Sequence, residues 1–139
     1  MKNKEKFVLV GILSITLILA VYVVTSSITG NTENKIKGSF QALTSSENNV
    51  EFQVTPLSAS EFEISMNTHS VDLGFDLTEI SMLYDNIGNP YKPLKWEGSA
   101  PGGHHRSGIL KFPFVNSSAK SINLIINDGT RREFSWNIK

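Results

Sequence analysis

From Val50 onward, hydrophobic and polar residues alternate with a period of two, which in an extended chain sends successive side chains to opposite faces. "VEFQVTP" places Val50, Phe52 and Val54 on one side. "FEISM" does the same with Phe62, Ile64 and Met66, and "VDLGFDL" with Val71, Leu73, Phe75 and Leu77. Each stretch predicts a half-buried strand. "ISMLYDNIGNPYKPLKW" predicts a strand, a turn over Asp85 to Pro90, and a second strand ending near Trp96. "GILKFPF" and "SINLIIND" predict two more, and Asp128-Gly129 a tight hairpin into "RREFSWNIK", where Phe134, Trp136 and Ile138 alternate. Seven or eight short strands with almost no helical periodicity predict an all-β fold, two antiparallel sheets packed face to face over residues 50–139.

The pattern before Val50 is different. "FVLVGILSITLILAVYVV", residues 7–24, carries no charge and makes a helix of about 27 Å at about 1.5 Å per residue, close to the thickness of a bilayer core. It predicts a single transmembrane helix. Lys2, Lys4 and Lys6 in the stub 1–6 favour a cytoplasmic N-terminus, and Tyr22 falls where an interfacial aromatic belongs. The competing reading, a signal peptide cleaved after Val24-Thr25-Ser26, has an apolar core longer than such peptides use, so an uncleaved anchor is expected. Both readings place the following domain outside the cytoplasmic membrane. Residues 25–49, rich in Ser, Thr, Asn and Gly, read as a polar linker, with "NKIKGSFQAL" able to form a short helical turn or an edge strand.

The succession "VDLGFDLTEISMLYDNIGNPYKPLKW", "SGILKFPF" and "AKSINLIIND", with its D-x-x-G-x-x-Y turn at Asp85, Gly88 and Tyr91, resembles small extracytoplasmic immunoglobulin-like domains. Bacteria attach such domains to one N-terminal helix or a lipid anchor. The resemblance implies an immunoglobulin-like β-sandwich serving binding, sensing or envelope assembly more often than catalysis. The chain has no cysteine, which excludes disulfides, thiolate metal sites, a cysteine nucleophile and a lipid-modified N-terminal cysteine.

Thirteen Lys and Arg balance thirteen Asp and Glu, and past the N-terminus the basic residues do not cluster beyond Arg131-Arg132. Nucleic acid is therefore not an expected partner, since phosphate binding needs a concentrated basic face. Arg131 and Arg132 read as a solvated hairpin end, with attraction to anionic lipid or wall polymer as the alternative. Trp96 and Trp136 read as core or sheet-covering aromatics, Trp96 being the one able to present a binding surface.

Candidate chemistry concentrates in "SAPGGHHRSG", Ser99 to Gly108, just after Trp96. Gly102, Gly103, His104, His105 and Arg106 lie within it, including two of the three histidines of the chain. A glycine-bracketed loop joining two strands would let both imidazoles turn to one point. Imidazole nitrogen suits zinc or copper, so His104 and His105 are candidate metal ligands with His69 as the third, and Glu97, Asp72 and Asp85 as other donors, although no spaced H-x-x-x-H motif supports them. The planar fork of Arg106, with the glycine amides, fits a carboxylate or phosphate. In the structural alternative, Gly102 and Gly103 supply a positive-φ turn, one histidine donates to a backbone carbonyl, and Arg106 pairs with Glu97 or caps the loop.

Catalytic signals are weaker. Ser107 lies near His105 without a G-x-S-x-G elbow, Asp72 and Asp76 across Gly74 read as solvated charges, and no phosphate-binding or dinucleotide fingerprint occurs. The expectation is a non-enzymatic, cofactor-free, single-pass membrane protein. Its extracytoplasmic domain would contact an envelope protein or wall component through the Trp96 to Arg106 loop; zinc or copper binding or sensing at His104-His105 is the alternative.

Overall fold

The computed structural model describes residues 40–139. The predicted stub (1–6), the membrane helix (7–24) and the linker as far as residue 39 lie outside the described residues. Among the described residues, no helix is long and apolar enough to cross a membrane.

Nine strands follow one another as β1 (Leu43–Glu47), β2 (Val50–Pro56), β3 (Glu61–Thr68), β4 (Ser81–Asp85), β5 (Pro90–Tyr91), β6 (Lys95–Gly98), β7 (His105–Lys111), β8 (Ser121–Asn127) and β9 (Arg131–Asn137). One helical turn, α1 (Leu77–Ile80), precedes β4 and is capped by Asp76, whose carboxylate accepts from Thr78 N at 2.8 Å. The strands form two antiparallel sheets, β1-β2-β3-β7-β6 and β5-β4-β8-β9, which make an all-β sandwich. Alternation chooses the inward faces: Val50, Phe52 and Val54 on β2, Phe62, Ile64 and Met66 on β3, and Ile122, Leu124 and Ile126 on β8 are buried. Each such side chain, fully removed from water, contributes about 1.5–3 kcal/mol. An aromatic contact ties the sheets together, Phe62 of β3 and Trp136 of β9 having centroids 5.6 Å apart, and Phe134 stacks on Trp136 along β9 at 6.3 Å.

The two ends of the sandwich differ in what they carry. Phe40 packs on the core at the end we call proximal, where Gln41 O accepts from Trp136 Nε1 at 2.8 Å. Backbone bonds from Phe112 N to Ser60 O, Leu94 N to Lys111 O, Asn86 N to Ser121 O and Ile138 N to Lys120 O gather the connections 57–60, 86–89, 92–94 and 112–120 at that end. The turn 48–49 and the connections 69–80, 99–104 and 128–130 form the distal end.

Four expectations are corrected. The expected linker over 25–49 enters the fold at its close: Leu43–Glu47 form the edge strand β1, turned into β2 by Asn48 (φ 50°) and Asn49 (φ 61°). Consecutive positive φ values belong to the two-residue hairpin turn that Asn accommodates, and a strand exposed at an edge needs few apolar residues. The predicted strand "VDLGFDL" is an irregular crossover into α1; Leu73 and Leu77 are buried as the alternation requires, but Arg106 takes the Leu73 and Phe75 carbonyls that a neighbouring strand would use. The predicted strand ending at Trp96 divides into β5 and β6, which belong to different sheets. Arg132 is buried rather than solvated at the hairpin end.

The D-x-x-G-x-x-Y turn is a hydrogen-bonded knot. Asp85, buried at the end of β4, accepts from Ile87 N and Asn89 N at 2.9 Å each, Asn89 Nδ2 at 2.7 Å and Tyr91 Oη at 2.9 Å, while Gly88 takes φ 92°. Burial raises the pKa of this carboxyl, but the donors, Asn89 foremost, outweigh it and bring it from 3.8 to about 2. A depressed carboxyl stabilises the fold fully above its unfolded value and loses that contribution as pH falls through the folded one. Stability is therefore expected to decline from about pH 4 to about pH 2. Urea midpoints measured across that range should fall less steeply in Asp85→Asn than in the parent; parallel curves would show that Asp85 does not carry the acid transition.

Candidate functional site

The residues expected to form one polar loop are divided between a strand and a turn. His105, Arg106 and Ser107 belong to β7, so they alternate: His105 and Ser107 face outward and are exposed, while Arg106 faces the core at 3% exposure. His104 lies just before the strand, exposed, with its carbonyl accepting from Thr68 N at 2.9 Å. Across β3, Asn67 pairs with His105 and its Oδ1 lies 2.9 Å from His105 Nδ1. The expectation that His104 and His105 turn to one point with His69 is corrected. Among the described residues, no group of three or more His, Cys, Asp or Glu side chains is placed to hold a metal ion. The other donors considered are engaged elsewhere: Asp85 in its turn, Glu97 with Lys95 and with Lys111 at 2.7 Å, and Asp72 with Gly103 N at 2.7 Å.

Arg106 organises this region from beneath. Its Nη1 donates to Leu73 O and Phe75 O at 2.7 Å each, and Nη2 to Ser99 O at 3.4 Å. The guanidinium sits between the Phe75 and Trp96 rings, 5.6 and 5.9 Å from their centroids, and Nε has no hydrogen-bond acceptor. Burial lowers its pKa while the charges of Asp76 and Asp72 oppose that shift. At 3% exposure and with both terminal nitrogens bonded to backbone carbonyls, Arg106 does not present its fork at the surface where a ligand anion would meet it. It does not pair with Glu97 either. The carboxyl of Glu97 is held at about 2 chiefly by its bond from Lys111 and then by Lys95. Gly102 and Gly103 do adopt positive φ, 110° and 78°, and Gly102 N donates to Leu73 O while Leu73 N donates to Gly103 O, both at 2.9 Å. Arg106 therefore clamps the connections 69–76 and 99–104 to each other.

Trp96, half-buried, lies over a glycine platform. Gly98 and Gly108 face each other across β6 and β7, and the indole donates to Ser99 O at 2.9 Å. A Cβ on Gly108 would stand 2.5 Å from Glu97 O and from Gly98 Cα, and 2.8 Å from Trp96 Cζ2. The clash is with backbone, so it cannot relax by a rotamer change. Gly108→Ala should cost about 1–3 kcal/mol and shift the Trp96 fluorescence; an unchanged denaturation midpoint would show that the strands separate without cost.

The recess that sequence reasoning missed lies at the same end. A hollow of about 520 Å³ is lined by the β1-β2 turn and the close of β3, including Glu47, Asn49, Glu51, Asn67 and His69. Its mostly polar lining gives little hydrophobic signal, and four of its nine lining residues, Ser46 to Asn49, belong to the expected linker. Exposed carboxylates Glu47, Glu51, Asp72, Asp76 and Glu79, all three histidines and Arg131 occupy this distal end.

No known protein family and no curated protein matches the chain. Among solved structures, that of MPT63, a secreted protein from Mycobacterium tuberculosis, is similar at 16% identity and a TM-score of 0.44, covering 72% of this chain and 95% of that one.

Proposed function

We propose that this chain is a non-enzymatic, membrane-anchored, extracytoplasmic binding module of immunoglobulin-like topology that offers its distal end to another component of the cell envelope. The fold reading rests on strand order. In β2-β3-β7-β6 and β5-β4-β8-β9 the sheets follow the A-B-E-D and C′-C-F-G arrangement, with β1 added outside the first strand. The added strand is the observation that carries the functional reading. β2 starts at the distal end, so a chain beginning there would be tethered beside the distal loops. The β1-β2 hairpin reverses the chain and brings its N-terminal approach to the proximal end, leaving the connections 69–80, 99–104 and 128–130 unobstructed.

Within that end, the contact surface moves away from Trp96 and Arg106, which organise it from inside, to the hollow and to exposed His69, His104 and His105. Its excess of carboxylates suits a partner that presents basic or hydrogen-bonding groups. The reading is tested in cells producing the full chain with a photo-crosslinking residue at His104 or Ser70, or at Glu63 on the outer sheet face. A discrete adduct with one envelope component from the two distal positions and not from Glu63 is expected. Absence of distal adducts, or the same adducts from all three, overturns distal binding. Failure of a C-terminal alkaline phosphatase fusion to become active overturns the extracytoplasmic placement.

A further inference from the structure

The end opposite the hollow has the contrary chemistry. Four large apolar side chains stand in solvent at the proximal end: Phe114 at 92% exposure, Leu94 at 67%, Ile87 at 60% and Leu57 at 47%. They come from four connections, 112–120, 92–94, 86–89 and 57–60, so no single loop explains them; the topology assembles them into one rim. All five lysines among the described residues, Lys92, Lys95, Lys111, Lys120 and Lys139, also fall at this end. Lys95 and Lys111 pair with Glu97 and Glu61, whereas Lys92, Lys120 and Lys139 take part in no ion pair among the described residues. The nearby Asp85 keeps its charge beneath the surface, and the five lysines outnumber the two carboxylates paired with them, Glu97 and Glu61, which leaves the rim with an excess of positive charge.

We infer that this rim is a docking surface for an anionic phospholipid bilayer, on which Phe114, Leu94, Ile87 and Leu57 enter the interfacial layer while lysines of the same end meet lipid phosphates. The inference rests on the membrane-anchored reading. Exposed apolar side chains bordered by flexible cations match an interface whose depth is apolar and whose surface is negative. A bilayer surface meets the apolar side chains and the lysines together, the first in its interfacial layer and the second at its phosphates. The location of Phe40 supplies the second argument: the chain approaches the fold at this same end, and residues 25–39 between the predicted helix and Phe40 reach at most about 54 Å when fully extended. A tether of that length keeps the rim near the bilayer, so individually weak lipid contacts become effective. Docking would hold the sandwich upright, with the hollow directed away from the membrane.

The absence of cysteine in the sequence provides a direct test with the full chain. Ser117→Cys, exposed beside Phe114, or His104→Cys at the distal end, is labelled with an environment-sensitive fluorophore. The protein is then placed in nanodiscs of phosphatidylcholine alone or mixed with phosphatidylglycerol, with nitroxide-labelled lipid as quencher. The label at Ser117→Cys should be quenched strongly on the anionic discs, more weakly on zwitterionic ones, and the label at His104→Cys on neither. Lys92→Glu and Lys120→Glu should each lower the docked fraction about fivefold, and Phe114→Ser should lower it on both kinds of disc. These side chains are exposed, so the variants keep the fold. Protein that co-elutes with the discs but shows no quenching at Ser117→Cys, or quenching indifferent to the lysine reversals, overturns the docking surface and leaves the anchor standing. Protein that does not co-elute with the discs overturns the anchor and the docking surface together.

Discussion

Replacing Arg132 by methionine is expected to lower the unfolding free energy by about 3–5 kcal/mol, the cost of removing one partner from a buried ion pair. Arg132 is 1% exposed and donates through Nε to Asp128 Oδ1 at 3.0 Å and through Nη2 to Asp128 Oδ2 at 3.1 Å, a bidentate geometry. The remaining donors close the distal end: Nη1 reaches Ser45 O at 3.1 Å and Val50 O at 3.2 Å, and Nη2 reaches Glu47 O at 2.9 Å. The cation also lies 4.6 Å from the centroid of the Phe52 ring. Methionine fills much of the volume but removes the cation from the Asp128 carboxylate, which keeps only its bond from Thr130 N, and takes the guanidinium bonds from the Ser45, Glu47 and Val50 carbonyls. A domain of this size has about 5–15 kcal/mol in total, so the melting temperature should drop by more than about 10 °C. Adding Asp128→Asn to Arg132→Met should recover part of the loss, because the uncompensated charge is then gone. An Arg132→Met protein that melts within a few degrees of the parent would show that the pair only breaks even against a hydrophobic replacement.

Arg132 also shows how far the sequence could be read. In "RREFSWN" the period-two register that buries Phe134 and Trp136 places Arg132 on the same inward face, so its burial was legible from position alone. Charge argued the other way, and the register prevailed because Asp128, four residues earlier at the hairpin, supplies the counter-charge. The strands β2, β3, β8 and β9 were legible for the same reason: each has one buried face and a regular ladder. "VDLGFDL" has the same alternation without the ladder. Periodicity reports which side chains are buried and not what satisfies the backbone, and here a side chain from β7 does so. β1 was illegible because an edge strand with Leu43 and Ser45 half-buried carries almost no apolar signal, and the Asn48-Asn49 turn lacks the glycine that marks such turns. The glycines around His104 and His105 correctly announced a positive-φ turn but concealed that β7 begins at His105, which sends adjacent side chains to opposite faces and separates the chemistry the loop was expected to unite.

Arg106→Met tests whether Arg106 is a clamp or a ligand-binding group, and its expected cost is about 2–3 kcal/mol. Leu73 O and Phe75 O each lose a bond of 2.7 Å; Leu73 O keeps only its bond from Gly102 N, and half-buried Phe75 loses its guanidinium donor. Arg106→Lys should fall between the parent and methionine, since one ammonium at the end of a flexible stem cannot reproduce the planar fork that meets both carbonyls. The informative readout is local. Amide exchange at Leu73, Gly102 and Gly103, which hydrogen bonds now tie into one connection pair, should accelerate more than exchange in β8, which Arg106 does not touch. Added phosphate should stabilise the parent no more than it stabilises Arg106→Met, because a guanidinium 3% exposed is out of reach of an anion in solution. Stabilisation by phosphate that disappears in Arg106→Met would return Arg106 to the binding surface; accelerated exchange confined to the two connections would mean that the shape of the distal end, on which the proposed contact depends, is held from inside by one buried cation.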